Sequence, residues 1–146
     1  MRVHLVGLLA AALFGTADST EQTAIKEETA RLEGTWIIVS AEHDGQKTPP
    51  ERTRCVKVVI TGEKLTVKGD KGVNSIIKID PSKAPRHINI MPEDGPDKGK
   101  VLQGIYQLQG DSWKLCIGQP GKPRPTEFAA PAHSGHMLID LKREKP

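Results

Sequence analysis

Aromatic side chains are scarce in this chain: two tryptophans, one tyrosine and two phenylalanines in 146 residues. That excludes a platform of stacked rings for bases or sugars, and it leaves Val, Ile and Leu to build the core. Cysteine is scarcer still, with Cys55 and Cys116 alone, so a disulfide-dense scaffold is excluded. Charge of one sign is nowhere concentrated. The 21 basic and 18 acidic residues interleave, as in Glu93-Asp94-Gly95-Pro96-Asp97-Lys98, and a net charge of +3 without a basic stripe argues against nucleic acid. Beyond Phe14 there is no apolar run long enough for a membrane helix, so no membrane span is expected in the mature chain.

What is present begins with a leader. Met1-Arg2-Val3-His4 is a short basic start, and an apolar stretch follows from Leu5 to Phe14. Gly15-Thr16-Ala17 then supplies the small residues a signal peptidase reads. Residues 1–17 are therefore expected to be a secretory signal peptide cut after Ala17, with a cut after Ser19 and a retained N-terminal anchor as the alternatives. A secreted or periplasmic protein follows. The remainder is expected to form one domain, with a short helix over 18–33 and a barrel over 34–146.

The helix reading rests on Ser19 or Thr20 as N-cap, with Ser19-x-x-Gln22 as a capping box and Ile25, Thr29 and Leu32 on one thin apolar face. From Gly34 the pattern changes to short strands: 35–43, 54–61, 64–68, 73–79, 86–91, 101–109, 112–118 and 137–142, with 126–130 as a further short strand. Turn signals separate them at Asp44-Gly45, Thr61-Gly62, Gly69-Asp70 and Gly110-Asp111. Such spacing predicts an all-β meander of about eight antiparallel strands, closed into a barrel or folded as a sandwich.

Alternation assigns the interior. Val56, Val58 and Ile60 share a face, as do Leu65 and Val67, Ile77 and Ile79, and Ile88 and Ile90. Leu102, Gly104, Tyr106 and Leu108 share another; Trp113, Leu115 and Ile117, then Met137, Ile139 and Leu141, complete the set. The same parity sends Cys55 and Cys116 outward. In an exported chain they are either a disulfide or two separate thiols, and both readings stay open.

The triplet Gly34-Thr35-Trp36, between helix and first strand, is similar to the opening signature of small lipocalin-like barrels. Glycine permits the sharp turn and the indole plugs one barrel end. Three longer stretches extend the likeness. Leu32-Glu33-Gly34-Thr35-Trp36 precedes Val39-Ser40-Ala41-Glu42-His43-Asp44-Gly45. Gly95-Pro96-Asp97-Lys98-Gly99-Lys100 leads into Gly104-Ile105-Tyr106-Gln107-Leu108-Gln109-Gly110-Asp111. Leu115-Cys116, Arg124-Pro125-Thr126-Glu127-Phe128 and Leu141-Lys142-Arg143 follow. From about Leu32 to Arg143 the chain resembles the planctomycete lipocalin-like domain family, whose function is uncharacterised. The resemblance implies an eight-stranded lipocalin-like barrel and a planctomycete source, and no activity. Cys55 is no part of that pattern, so no disulfide is carried over. Lipocalin-like barrels often end on an arginine that lies over the opening tryptophan. Arg143 is placed to stack on Trp36 and bond the last helix carbonyls, a structural role beside Gly34 and Trp36 in closing the barrel.

No catalytic constellation stands out. His133-Ser134-Gly135-His136, with His43 and His87 elsewhere, lacks a third ligand at a diagnostic zinc spacing, so no metal is expected. There is no Gly-x-Ser-x-Gly elbow, and Cys116 beside Lys114 in alternation reads as an inert strand thiol. Glu42, Asp44, Glu93 and Asp94 fall in turns, where solvation is the default. No enzyme activity and no cofactor are expected. The leading expectation is a small apolar or amphipathic ligand inside the barrel. Ser40, Gly104 and Ser75 would leave room for it, with Tyr106 as a polar handle. The alternative is a protein-interaction module or secreted-protease inhibitor. It would act through the N-terminal arm 18–24 or the proline-rich loop 119–126, which otherwise simply spans the barrel end.

Overall fold

A computed structural model describes residues 16–69 and 72–145. Most of the expected leader, and Asp70 of the Gly69-Asp70 turn, lie outside the described residues. Helix α1 (Thr16–Leu32) leads into β1 (Gly34–His43), a two-residue β2 (Gln46–Lys47) and a single-turn helix α2 (Pro50–Thr53). Then come β3 (Lys57–Thr61), β4 (Lys64–Lys68), β5 (Val73–Asp80), β6 (Arg86–Pro92), β7 (Leu102–Gln109), β8 (Ser112–Ile117) and β9 (Met137–Arg143). Each strand pairs antiparallel with the next, and β9 returns to β1. The result is the closed eight-stranded barrel that the strand spacing predicts, with β2 an extra ribbon hung on β1. Closure removes the exposed edges through which sheets aggregate.

Several local expectations are corrected. The helix already includes Thr16, so Ser19 sits inside it and is not its N-cap. Residues 126–130 form no strand: β8 already has β7 and β9 on its two sides, so no edge is free to receive one. β3 begins at Lys57, which leaves Cys55 and Val56 before the strand. β2 and α2 have local causes. Asp44 and Gly45 both take positive φ, 52° and 83°, the turn that suits a tight hairpin, and Pro50 opens α2 at the position where a missing N–H costs nothing.

The core is a set of inward side chains from every barrel strand, among them Trp36, Ile60, Leu65, Ile77, Ile88, Tyr106, Trp113 and Leu141, with Leu32 supplied by α1. Trp36 and Trp113 meet edge to face with ring centroids 5.4 Å apart, a contact worth about 0.5–1.5 kcal/mol beyond its buried area.

Candidate functional site

The strands run alternately toward and away from α1, so the barrel has two distinct ends. At the α1 end the connections after β3 and β7 are tight turns with Gly62 and Gly110 at positive φ. At the other end the chain is carried by the long segments between β1 and β3, between β6 and β7, and between β8 and β9.

The α1 end is sealed. Trp36 is fully buried and its Nε1 donates to Leu32 O at 2.8 Å, which fixes the helix terminus to the first strand. The Arg143 guanidinium lies 4.4 Å from the Trp36 ring centroid. Its Nη1 and Nη2 donate to the carbonyls of Glu33 and Arg31, and its Nε to Asp111 Oδ1 at 3.2 Å. Gly34 is required here. At φ 131° a Cβ would stand 2.7 Å from Arg143 Nη1.

Glu28 of α1 is 4 % exposed and accepts from Arg86 Nη1 at 3.1 Å and from the Tyr106 hydroxyl at 3.4 Å. A carboxylate so buried survives only when paired. Burial, reinforced by the Glu28 charge, raises the Tyr106 pKa above its ordinary value, so the ring stays a donor. Its polar tip is therefore engaged at the sealed end. Among the described residues, Trp113 Nε1 is the one buried side-chain polar atom without a partner.

The opposite end is different. Along β9 the inner face goes from Leu141, 2 % exposed, through the half-buried Ile139 to Met137 at 38 %. β8 follows the same course from Trp113 at 1 % and Leu115 at 4 % to the half-buried Ile117. β1, β4 and β7 repeat it in Trp36 to Ile38, Leu65 to Val67 and Tyr106 to Leu102. All five half-buried aliphatics pack on the core and still meet solvent, as Ile79 and Leu108 do at the α1 end. The β5–β6 wall stays sealed through Ser75 and Pro92. The outcome is an apolar mouth facing away from α1.

Of the residues expected at a ligand, Ser40, Gly104 and Ser75 to make room and Tyr106 as a polar handle, all but Ser40 lie on the inner face, with Ser75 3 % exposed. Gly104 is buried, and a Cβ there would come 2.7 Å from Cys116 O and 3.3 Å from Ile88 Cγ2, so the missing side chain serves close packing. Tyr106 is inward but at the sealed end. Ser40 is not inward: it is exposed and its Oγ donates to Asp140 Oδ2 at 3.0 Å. The cause is a β-bulge between Ile38 and Ser40, which leaves Val39 unpaired and 56 % exposed and reverses the alternation beyond it. Simple period-two counting carries no signal for that extra residue.

The segment from Gly118 to His136 straps the outer face of β6–β8. Arg124 Nη1 donates to Gly104 O at 2.6 Å and to Ile88 O at 2.9 Å, and its Nη2 to Asn89 Oδ1 at 2.7 Å. Pro125 and Ala130 are buried, and Gly45 N donates to Ala130 O at 2.6 Å. Beneath the strap Ile105 and Cys116 are sealed at 1 % and 0 % exposure. Cys116 does point out of the barrel, as its parity requires, but the strap covers it and its Sγ contacts Ala129 O at 3.3 Å. Burial raises its pKa. Cys55 is exposed, and the two are separate thiols.

Of the elements considered for partner binding, the arm 18–24 is the opening half of α1, exposed from Ser19 to Ala24. Arg124 is committed to the barrel wall and Pro125 is buried, while the strap's first turn, 119–123, and Thr126 remain at the surface. His43 and His133 flank Asp44, whose carboxylate accepts from Gly135 N at 2.9 Å; that bond leads the causes lowering its pKa. Among the described residues no three His, Cys, Asp or Glu side chains are arranged to hold a metal. No family model, no curated protein and no solved structure matches the chain.

Proposed function

We propose that this chain is an exported lipocalin-like barrel that binds a small apolar or amphipathic molecule in the barrel half opposite α1. The exposure gradient along the inner faces of β1, β4, β7, β8 and β9 carries the proposal. A barrel of this strand number holds either packed side chains or one small ligand; here the buried rings fill one end, and five of the seven half-buried inner aliphatics lie at the other. Aliphatic surface kept in contact with water is the ordinary lining of a ligand site. Export rests on the basic, apolar and small-residue order of the first 17 residues. Membership of the planctomycete lipocalin-like family rests on the motifs from Leu32 to Arg143.

The test is native mass spectrometry of the protein purified from its own host, paired with titration of the uncharged dye Nile red. A reproducible small-molecule adduct and saturable dye binding that Ile139→Glu abolishes are expected. A clean apo mass together with no dye binding would sink the proposal. The same spectrum reads the N-terminus, and a mass that retains residues 1–17 would refute leader removal.

A further inference from the structure

We infer that the plugged end carries a second binding site on its outer side, for a phosphate group held between Arg31 and Arg86. This site is independent of the barrel mouth, which lies at the opposite end. A depression of about 380 Å3 opens beside α1, lined by Glu28 and Arg31 of the helix, Arg86 of β6, Leu108 of β7, Asp111 of the β7–β8 turn, and Arg143. That volume is within the range of small-ligand sites, about 300–1,000 Å3.

The two arginines converge on one carboxylate. Glu28 Oε1 lies 3.1 Å from Arg86 Nη1, and its Oε2 stands 3.7 Å from Arg31 Nη1. The Glu28 side chain is 5 % exposed, that of Arg86 38 % and that of Arg31 68 %. The carboxylate is therefore the floor, and the guanidinium groups stand over it in the open. Their donors are largely unused. Arg124 and Arg143 each donate three bonds to protein acceptors. Among the described residues Arg86 donates one such side-chain bond, to Glu28, and Arg31 donates none. Each guanidinium presents five N–H groups in a rigid fork that fits the oxygens of a phosphate.

The charge balance has the same sign. Both carboxylates of the depression already face two cations each: Glu28 has Arg31 and Arg86, and Asp111 has Arg143 at 3.2 Å and Lys145 at 3.5 Å. Four cations against two acids leave a surplus of two, in a chain whose whole net charge is +3. Glu33, further along α1, is engaged elsewhere and accepts from Gly62 N at 3.0 Å. A phosphate monoester carries a charge of about −1.5 to −2 at neutral pH and matches that surplus, whereas a single carboxylate matches half of it. Leu108, half-buried against the core, supplies an apolar wall for the substituent of such an ester.

Calorimetric titration with inorganic phosphate, butyl phosphate and acetate at neutral pH, with amide shifts recorded alongside, tests this. Both phosphates should bind roughly fivefold tighter than acetate, the upper worth of one more exposed charge contact, and the amides of Gly110 and Asp111 should shift. Butyl phosphate binding tighter than inorganic phosphate identifies an ester as the occupant; equal affinities identify the free ion. Arg31→Gln/Arg86→Gln should weaken phosphate about tenfold, two such contacts being lost. Lys68→Gln/Lys122→Gln removes the same charge at the far end, beyond the reach of screened electrostatics, and should change nothing. Glu28→Gln can still accept from Arg86 and Tyr106 but loses the competing charge, so phosphate should bind tighter. If the arginine double variant does not fold, the opposite signs of Arg31→Gln, weaker by up to about fivefold, and Glu28→Gln decide. No phosphate binding, acetate binding as tightly, an equal loss in Lys68→Gln/Lys122→Gln, or weaker binding in Glu28→Gln would each overturn the inference. Ile139→Glu should leave phosphate binding as it was, so this site and the mouth fail separately.

Discussion

The two ends of this barrel are made from the same eight strands but from different chemistry. At the α1 end the inner faces carry the large rings, every polar tip but one has a partner, and Arg143 ties strand, helix and turn together. At the far end the same inner faces carry aliphatics that still meet water, and the connections are long. A meander alternates its connections between the two ends, so one end can hold short turns and a plug while the other holds variable loops. Scaffold and site are thereby separated along the barrel axis. The contrast yields a ranking of how much each end contributes to stability.

The largest difference is expected between Trp36→Ala and Ile117→Ala. Truncating the fully buried indole should cost about 3–5 kcal/mol, whereas the half-buried isoleucine, already part-solvated, should cost about 1–2 kcal/mol. Urea unfolding reads both. Equal losses would break the distinction between a packed and an open end.

Gly34→Ala comes next. It adds one methyl group where φ is 131° and the Arg143 guanidinium already stands. The backbone penalty alone is on the order of 1–3 kcal/mol, and displacement of Arg143 from Trp36 adds about 0.5–1 kcal/mol. Gly121→Ala at the far end meets nothing within 4 Å, although its φ of 76° is also positive. It should cost only the smaller strain of a left-handed turn, about 1 kcal/mol. If the two alanine variants melt together, Gly34 is needed for its backbone alone and not for Arg143.

Arg124→Ala probes the strap. Three bonds to strand groups are lost, for about 1–3 kcal/mol, and the carbonyls of Ile88 and Gly104 lose a charged donor. The sharper readout is Cys116. In the native protein one thiol, Cys55, should react at once with a thiol reagent, while the sealed Cys116 waits for an opening. In the variant the second thiol should react roughly five- to 150-fold faster, because each 1.4 kcal/mol removed from the opening free energy is about a factor of ten. An unchanged Cys116 rate would mean that Arg124 does not hold the strap down.

The barrel itself was legible in the sequence because it depends on short-range signals. Period-two alternation marked the inner faces of Leu65 and Val67 or Ile88 and Ile90, and Gly or Asp-Gly turns marked most of the reversals. The likeness to lipocalin-like barrels turned attention to Trp36 and Arg143, which no local pattern connects. What escaped has a common cause in context. The bulge at Val39 appears only when β1 is paired with β9, and it moved Ser40 from wall to surface. Burial of Cys116 depends on a strap anchored through Arg124 and Ala129, well away in the chain. The open mouth could not be read from alternation, because Ile117 and Leu115 share a parity and differ only in depth.

The smallest predicted effect is one of pH, and it concerns the strap's junction with the wall. His87 on β6 lies opposite Asp80 and Ile105, with Arg124 and Lys83 as further charges acting on it. Burial, then the Arg124 charge, lowers its pKa below the ordinary 6.5, while Asp80 pulls the other way. A histidine that resists protonation in the folded state takes up a proton on unfolding between its two pKa values. Stability is then full above about pH 6.5 and declines as pH falls toward the folded pKa. His87→Asn should flatten that slope between neutral and mildly acidic pH and leave the neutral value nearly unchanged. Arg124→Ala should flatten it in part, because it removes one of the three forces that lower the pKa, burial, Arg124 and Lys83. Ile117→Ala, at the mouth, should leave the slope as it was. Urea midpoints across that pH range decide between these outcomes. A slope equal in His87→Asn and the native chain would assign the pH dependence to a group other than His87, and not to Asp44 or Asp80. Their depressed pKa values act the same way but only below the ordinary aspartate value of 3.8.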